Sequence, residues 1–276
     1  MNTLYVVGTP IGNLEDITLR ALRILRSVRL IAAEDTRKTR ILLDRYEIAT
    51  PLTSYFEHNK LAKLDAVLAA LADGDVALVS EAGMPGLSDP GYELVRAALE
   101  RDVPVVVVPG ASAAVSALVG SGLPTDQFVF VGFLPRKPGE RRAALEALAG
   151  ERRTLVAYEA PHRIVETLED LLTILGDRPV CVARELTKLH EEIVRGSVQE
   201  ALAHFTAHEP RGEFTLVVGG APAQAAGLND EGVRPQLAAL LNGGMPGADA
   251  VRQVVAESGR RRRDVYALMT ALQQKE

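Results

Sequence analysis

The chain has 276 residues, of which 47% are hydrophobic and 24% charged, and a formal net charge of −5. This length allows two domains and a small appendage, and the acidic balance argues against a protein coated for indiscriminate nucleic-acid binding. The single cysteine, Cys181, excludes an internal disulfide and a multi-cysteine metal site and suits a reducing cytoplasm.

The chain begins with an apolar run, Thr3 to Val7, that reads as a strand and leads into Gly8-Thr9-Pro10-Ile11-Gly12-Asn13. The G-x-x-x-G spacing is not a dinucleotide fingerprint. A helix follows with Ile17, Ala21, Ile24, Leu25 and Val28 on one face and Asp16 or Thr18 as its cap. Leu30 to Ala33 is a second strand, running into Glu34-Asp35-Thr36-Arg37. Those charges fit either a site or an ordinary helix N-terminus. Thr50 to Asn59 includes Ser54, Tyr55, Phe56, Glu57, His58 and Asn59, read as a loop ahead of a helix, Leu61 to Ala72.

Val76 to Val79 is a buried strand by its β-branched, apolar content, and the loop after it carries Gly83, Pro85, Gly86, Pro90 and Gly91. Glycines admit close backbone approach and prolines hold a path rigid, and α/β sheets place ligands at the carboxyl ends of their strands. Another helix, Tyr92 to Glu100, and a strand, Val103 to Val108, end in Pro109-Gly110-Ala111-Ser112-Ala113. The alternation predicts helix-covered, mainly parallel strands, closing near Gly120 to Pro124.

Phe128 to Phe133 opens a second α/β unit. A basic loop, Arg136 to Gly139, and a helix, Ala143 to Ala149, follow it. Thr154 to Tyr158 is a strand ending in Glu159-Ala160-Pro161-His162-Arg163, and a helix, Ile164 to Leu175, leads to the strand Val180 to Ala183. Arg184 to Lys188 follow that strand, and Gly212-Glu213-Phe214 open the last one, Thr215 to Val218. Polar residues at strand ends in both halves point to a cleft between two domains. After the linker Ala221 to Asp230, three short helices (Pro235 to Leu241, Asp249 to Ala256, Arg262 to Leu272) have the rhythm of a helix-turn-helix module. The domains are therefore expected at 1–122, 123–222 and 230–276.

Basic residues cluster at Arg20, Arg23, Arg26 and Arg29, at Arg37, Lys38, Arg40 and Arg45, at Arg136, Lys137, Arg141, Arg142, Arg152 and Arg153, and at Arg260 to Arg263. Several such groups in an acidic protein favour a polyanionic partner. The five histidines lack metal-ligand spacing, and neither G-x-S-x-G nor a P-loop occurs. No apolar run reaches membrane-spanning length, and the N-terminal segment enters a strand without a signal peptide. Spacing alone thus indicates an α/β enzyme that holds a cofactor through backbone groups.

The segments LYVVGTPIGNLEDIT, LIAAEDTRKT, VSEAGMPGLSDPGY, VPGASA, GFLPRK, YEAPHR, ARELTK and GEF occur in that order. With the EHN of residues 57–59, they resemble the ribosomal small-subunit RNA methyltransferase I family, within the tetrapyrrole-methylase-like methyltransferases. The resemblance spans about residues 3 to 220 and extends to the helical tail. Two loops depart from it: Glu81 and Met84 stand in one that usually reads SDAGTP, and in the other Ala111 replaces a proline.

The resemblance implies two α/β domains with S-adenosylmethionine in the cleft between them, a homodimer, and methylation of a cytidine ribose 2′-hydroxyl in 16S rRNA of the small ribosomal subunit. It implies that the cofactor is lined by Ser80, Glu81, Gly83, Met84, Pro85 and Leu87, and by Pro109, Gly110, Ser112 and Ala113. From the second half come Tyr158, Leu186, Glu213 and Phe214. Glu34, Asp35, Glu185 and Lys188 are the catalytic candidates, with Lys188 a charge stabiliser and Glu185 a base. The competing readings are a corrin-type small-molecule methyltransferase, which has no need of a basic tail, and a non-catalytic RNA-binding assembly factor.

Overall fold

The computed structural model describes residues 2–56, 60–222, 230–258, 260 and 262–273. Glu57, His58, Asn59 and Arg261, singled out above, lie outside the described residues. The chain forms two compact units, Met1–Gly219 and Gly220–Glu276.

The larger unit begins with β1 (Leu4–Val7), α1 (Leu19–Ser27), β2 (Leu30–Ala33), α2 (Thr36–Arg45) and β3 (Leu52–Ser54). It continues through α3 (Lys60–Asp73), β4 (Val76–Val79), α4 (Tyr92–Leu99), β5 (Val105–Val108) and α5 (Ala113–Ser121). All five strands are parallel, in the order β3-β2-β4-β1-β5. Helices cover both faces, which is why β2 and β4 read as unbroken apolar runs. On one face Leu22, Leu25, Ile31 and Leu43 pack together; on the other Val67, Leu71, Leu78 and Leu94 do so. Thr18, one of the two expected caps, accepts a hydrogen bond from Ala21 N at 3.0 Å, a contact worth about 1 kcal/mol. Strand β3 falls in the stretch expected to be a loop. It is a three-residue edge strand with only half-buried side chains, so it carries no apolar pattern.

The second half contains β6 (Phe128–Phe133), α6 (Pro138–Ala147), β7 (Thr154–Glu159), α7 (Ile164–Leu175), β8 (Pro179–Arg184), β9 (Glu192–Ser197), α8 (Val198–Ala207) and β10 (Phe214–Val218). The order is β6-β7-β10-β8-β9, with only the β6–β7 pair parallel. Helix α6 starts inside the expected basic loop, with Pro138 in its first turn, where a missing N–H costs nothing. Helix α8 is additional to the elements expected from the sequence, and Ser197 and Glu200 form a reciprocal capping box at its start.

Of the basic group in this half, Arg141 is internal, while Arg136, Lys137, Arg142, Arg152 and Arg153 are exposed. Arg141 is buried and pairs with Asp170 at 2.7 Å and Glu166 at 3.3 Å, while Arg142 also reaches Asp170 at 2.8 Å. Arg153 is tied to Glu151 at 2.6 Å, and Lys137 to Glu140 at 2.8 Å. The expectation of a phosphate-binding cluster here fails for Arg141, because desolvation beside two carboxylates leaves it no solvent-facing charge.

Helix α5 joins the two sheets. It follows β5 in sequence, yet Ala114, Ala117 and Leu118 pack against Val156, Cys181, Ala183 and Val217 of the second sheet. Its small residues allow that close approach. In the smaller unit, α9 (Asp230–Asn242), α10 (Gly247–Ser258) and α11 (Arg262–Gln273) bury Val233, Leu237, Val251, Val254, Val265 and Met269. Among the described residues, no helix is long and apolar enough to cross a membrane.

Candidate active site

The loops that leave β1, β4 and β5 converge, because β1 lies between β4 and β5. Thr9 N donates to Gly83 O at 2.9 Å and Gly83 N to Thr9 O at 3.1 Å, locking the first two loops together. From the other sheet, the segment after β8 reaches across: Asn13 N donates to Thr187 Oγ1 at 3.1 Å. Gly12 makes this possible, since a Cβ there would lie 2.4 Å from Lys188 Cγ.

Between these loops and the ends of β6, β7, β8 and β10 is a cavity of about 360 Å³. Its size is within the range of small-molecule sites. The first half contributes Glu34, Glu81, Gly83, Met84, Leu87, Ser112 and Ala113, and the second Tyr158, Leu186, Lys188, Glu213 and Phe214. Ser80 lines an adjoining cavity of about 270 Å³ that shares Ile11, Glu81, Ala82, Lys188 and Glu213 with the first.

The remaining sequence candidates do not line the larger cavity. Pro85 is buried in its loop, and Pro109 and Gly110 shape the turn after β5. Asp35 caps α2, accepting from Arg37 N at 2.8 Å and Lys38 N at 3.3 Å; hydrogen bonding to the Arg37 side chain holds its pKa below the usual range. Of the two readings of Glu34-Asp35, the helix N-terminus thus describes Asp35, while Glu34 turns into the cavity and accepts from Glu81 N at 3.0 Å.

Glu185 holds the loop together. Its carboxylate accepts from Lys188 Nζ at 2.8 Å and from Glu213 N at 2.9 Å. Burial opposes its charge, but these bonds keep its pKa lowered. Lys188 also donates to Glu213 at 3.0 Å, and the two carboxylates raise its pKa against the cost of burial. Lys188 therefore stays charged at the wall shared by both cavities.

Sequence reasoning missed Asp89, Phe133 and Glu159. Asp89 lines the cavity, and burial, followed by the negative charge of Glu34, pushes its pKa up to about 7. The signal available for it was its place in the SDPG segment. Phe133 packs on Tyr158 with ring centroids 5.5 Å apart. Glu159 accepts from Arg163 Nε at 2.8 Å and Thr167 Oγ1 at 2.7 Å, and Arg163 also donates to Leu134 O at 3.2 Å. This clamp ties the YEAPHR and GFLPRK segments into one wall.

The lining combines flat apolar surfaces (Phe133, Tyr158, Met84, Leu186) with five carboxylates, Glu34, Glu81, Asp89, Glu213 and the Arg163-clamped Glu159, near one ammonium. Ser112 Oγ is buried beside the Tyr158 hydroxyl without a well-formed hydrogen bond. An amphipathic, cationic ligand with polar groups to share fits this set.

A family model described as tetrapyrrole (corrin/porphyrin) methylases matches residues 3–202. The ribosomal RNA small subunit methyltransferase I of Synechocystis sp. is 49% identical, covering 99% of both chains. This chain belongs to that methyltransferase family. The Bacillus subtilis relative of the same name is 42% identical over 96% of this chain and 93% of its own. The Thermotoga maritima relative is 51% identical over 80% of this chain and 99% of its own length. About a fifth of this chain therefore has no counterpart in that member of the family.

Among solved structures, the uroporphyrin-III C-methyl transferase of Thermus thermophilus in complex with S-adenyl homocysteine is similar. It is 23% identical, with a TM-score of 0.58 over 79% of this chain and 97% of that one. This likeness concerns the fold. In the loop after β4, Glu81 is ion-paired with Lys38.

Proposed function

We propose that this chain transfers the methyl group of S-adenosylmethionine to the ribose 2′-hydroxyl of a cytidine in 16S rRNA of the small ribosomal subunit. The observation that carries this reading is the acid-lined cavity at the convergent strand ends, in a chain nearly half identical along its whole length to an rRNA methyltransferase. The cofactor, when bound, supplies a methyl group activated on a positively charged sulfur.

Gly83, Met84 and Leu87 with Ser112 and Ala113 form the wall of the first half around it, and Tyr158, Leu186, Glu213 and Phe214 that of the second. The carboxylates offset its positive charge. Holding donor and acceptor in line supplies most of the acceleration. Of the lining carboxylates, Asp89 has the proton affinity suited to taking a hydroxyl proton near neutral pH. Lys188 stabilises negative charge as it develops on the acceptor oxygen. Glu185, expected as a base, instead positions Lys188.

The protein works in the cytoplasm as a homodimer. Val107 of β5 with Val115 and Val119 of α5 leave an apolar strip exposed, at 53%, 50% and 71%, that a second copy would cover. The functional division is 1–122, 123–222 and 230–276, the last being a helical RNA-binding module.

The test is methyl transfer from labelled cofactor to purified 30S subunits and to naked 16S rRNA, with the product nucleoside identified. Ribose-methylated cytidine is expected. Cofactor binding with no methylated RNA points to a small-molecule acceptor, and no cofactor binding leaves an assembly factor.

A further inference from the structure

The smaller cavity differs from the larger one in its lining and its mouth. Pro10, Leu14, Ile41 and Leu42 give it an apolar floor, while Lys38 and Lys188 are its cations. The wall shared by the two cavities carries Glu81, Lys188 and Glu213; Lys38, which lines the smaller cavity alone, pairs with Glu81, and Lys188 with Glu213. Each carboxylate on that wall thus has an ammonium beside it, which lowers the repulsion an anionic strand meets there.

The mouth opens on α2. Ile41 is 62% exposed there. It stands one turn from Arg37 and Lys38 and beside Arg40, all three exposed cations. An exposed branched apolar side chain within a cationic row has no role in the described core, but it is the combination that receives an unstacked base with charged flanks.

We infer that the smaller cavity is the acceptor-nucleotide subsite, with Ile41 and Lys38 as positioning residues. This rests on the function proposed above. The base lies on Leu14 and Ile41, the ribose points through the shared wall towards the larger cavity, and the flanking phosphates meet Arg37 and Arg40. Cofactor and nucleotide then meet at Lys188, the cation common to both cavities. An A-form duplex does not present a base in this way, so the target must be unpaired when it binds.

The experiment compares the full-length wild type with Ile41→Glu, Ile41→Met and Lys38→Ala, measuring cofactor affinity by calorimetry and methyl-transfer kinetics on 30S subunits. Ile41→Glu and Lys38→Ala should raise KM for the RNA substrate by about tenfold, the loss expected for one apolar or charged contact. Cofactor affinity should stay unchanged in Ile41→Glu, and Ile41→Met, which keeps an apolar side chain, should raise KM less than Ile41→Glu does. The subsite is overturned if Ile41→Glu keeps the wild-type KM, or if its defect lies in cofactor binding. If the wild type itself methylates no RNA, the proposed function falls, and the subsite with it; the wild-type lane separates that result from the others.

Discussion

Gly8 and Gly110 lie back to back where the loops after β1 and β5 meet: a Cβ on Gly8 would sit 2.7 Å from Gly110 Cα and 2.7 Å from Met84 Sδ. Neither backbone can retreat, because Gly8 N is bonded to Val108 O at 3.0 Å within the parallel ladder. Gly110→Ala should therefore cost roughly 1–3 kcal/mol, the usual penalty for overpacking, and should weaken cofactor binding. Gly120, inside α5, has open space around its missing Cβ. Gly120→Ala should stabilise by up to about 1 kcal/mol. Denaturant midpoints of the two variants, moving in opposite directions, check the pair.

The sequence made the loops legible because their signals are local. The apolar run Val76–Val79 and the glycines and prolines after it mark a strand end, and that is where the cavity lies. Properties set by distant partners were not legible. Nothing around Arg141 announces that Asp170, twenty-nine positions away, will bury it. Asp89 gains its proton affinity from burial in the folded cavity and then from Glu34, which comes from a different strand end. Helix α5 follows a strand of the first sheet and packs on the second, so counting strands and helices along the chain misplaces its contacts.

Asp89 makes stability depend on pH. Its folded-state pKa is raised from the ordinary 3.8 to about 7, so the folded protein holds this proton more tightly than the unfolded chain does. The group thus favours folding at low pH and costs stability as pH rises through the interval between those values. Urea midpoints of the wild type should fall across that interval, and Asp89→Asn should flatten the fall. An equal slope in both proteins would show that Asp89 titrates normally.

Arg141 and Arg23 should separate structural from RNA-facing cations. Asp170→Ala leaves Arg141 buried beside only the more exposed Glu166, at 3.3 Å. Such a break costs roughly 3–5 kcal/mol. Arg23 lies on the exposed face of α1. Arg23→Glu should leave stability within about 0.5 kcal/mol of wild type. If α1 faces rRNA, the same change weakens RNA binding and lowers its salt dependence by about one counterion. Salt titrations of RNA affinity, run beside denaturation curves, distinguish the two behaviours.

Lys188 is held as few surface lysines are. Glu185 and Glu213 bracket its ammonium at 2.8 and 3.0 Å, and the backbone leading up to it, at Glu185 and Thr187, has the positive φ values 51° and 67°. Holding ordinary residues in that region costs energy that the surrounding contacts must supply. Lys188→Met should lower kcat by about a hundredfold, as losing one stabilising charge at a developing oxyanion does, with cofactor affinity little changed. Lys188→Arg, which keeps the charge and can still bridge the carboxylates, should restore part of the rate. Were Lys188 only a strut, Lys188→Met would lower the unfolding midpoint and leave kcat near wild type. Gly12→Ala supplies an independent check, since its Cβ would press on Lys188 Cγ from 2.4 Å and displace the ammonium without removing it. A loss of kcat in both variants, at unchanged cofactor affinity, assigns the effect to the position of that charge.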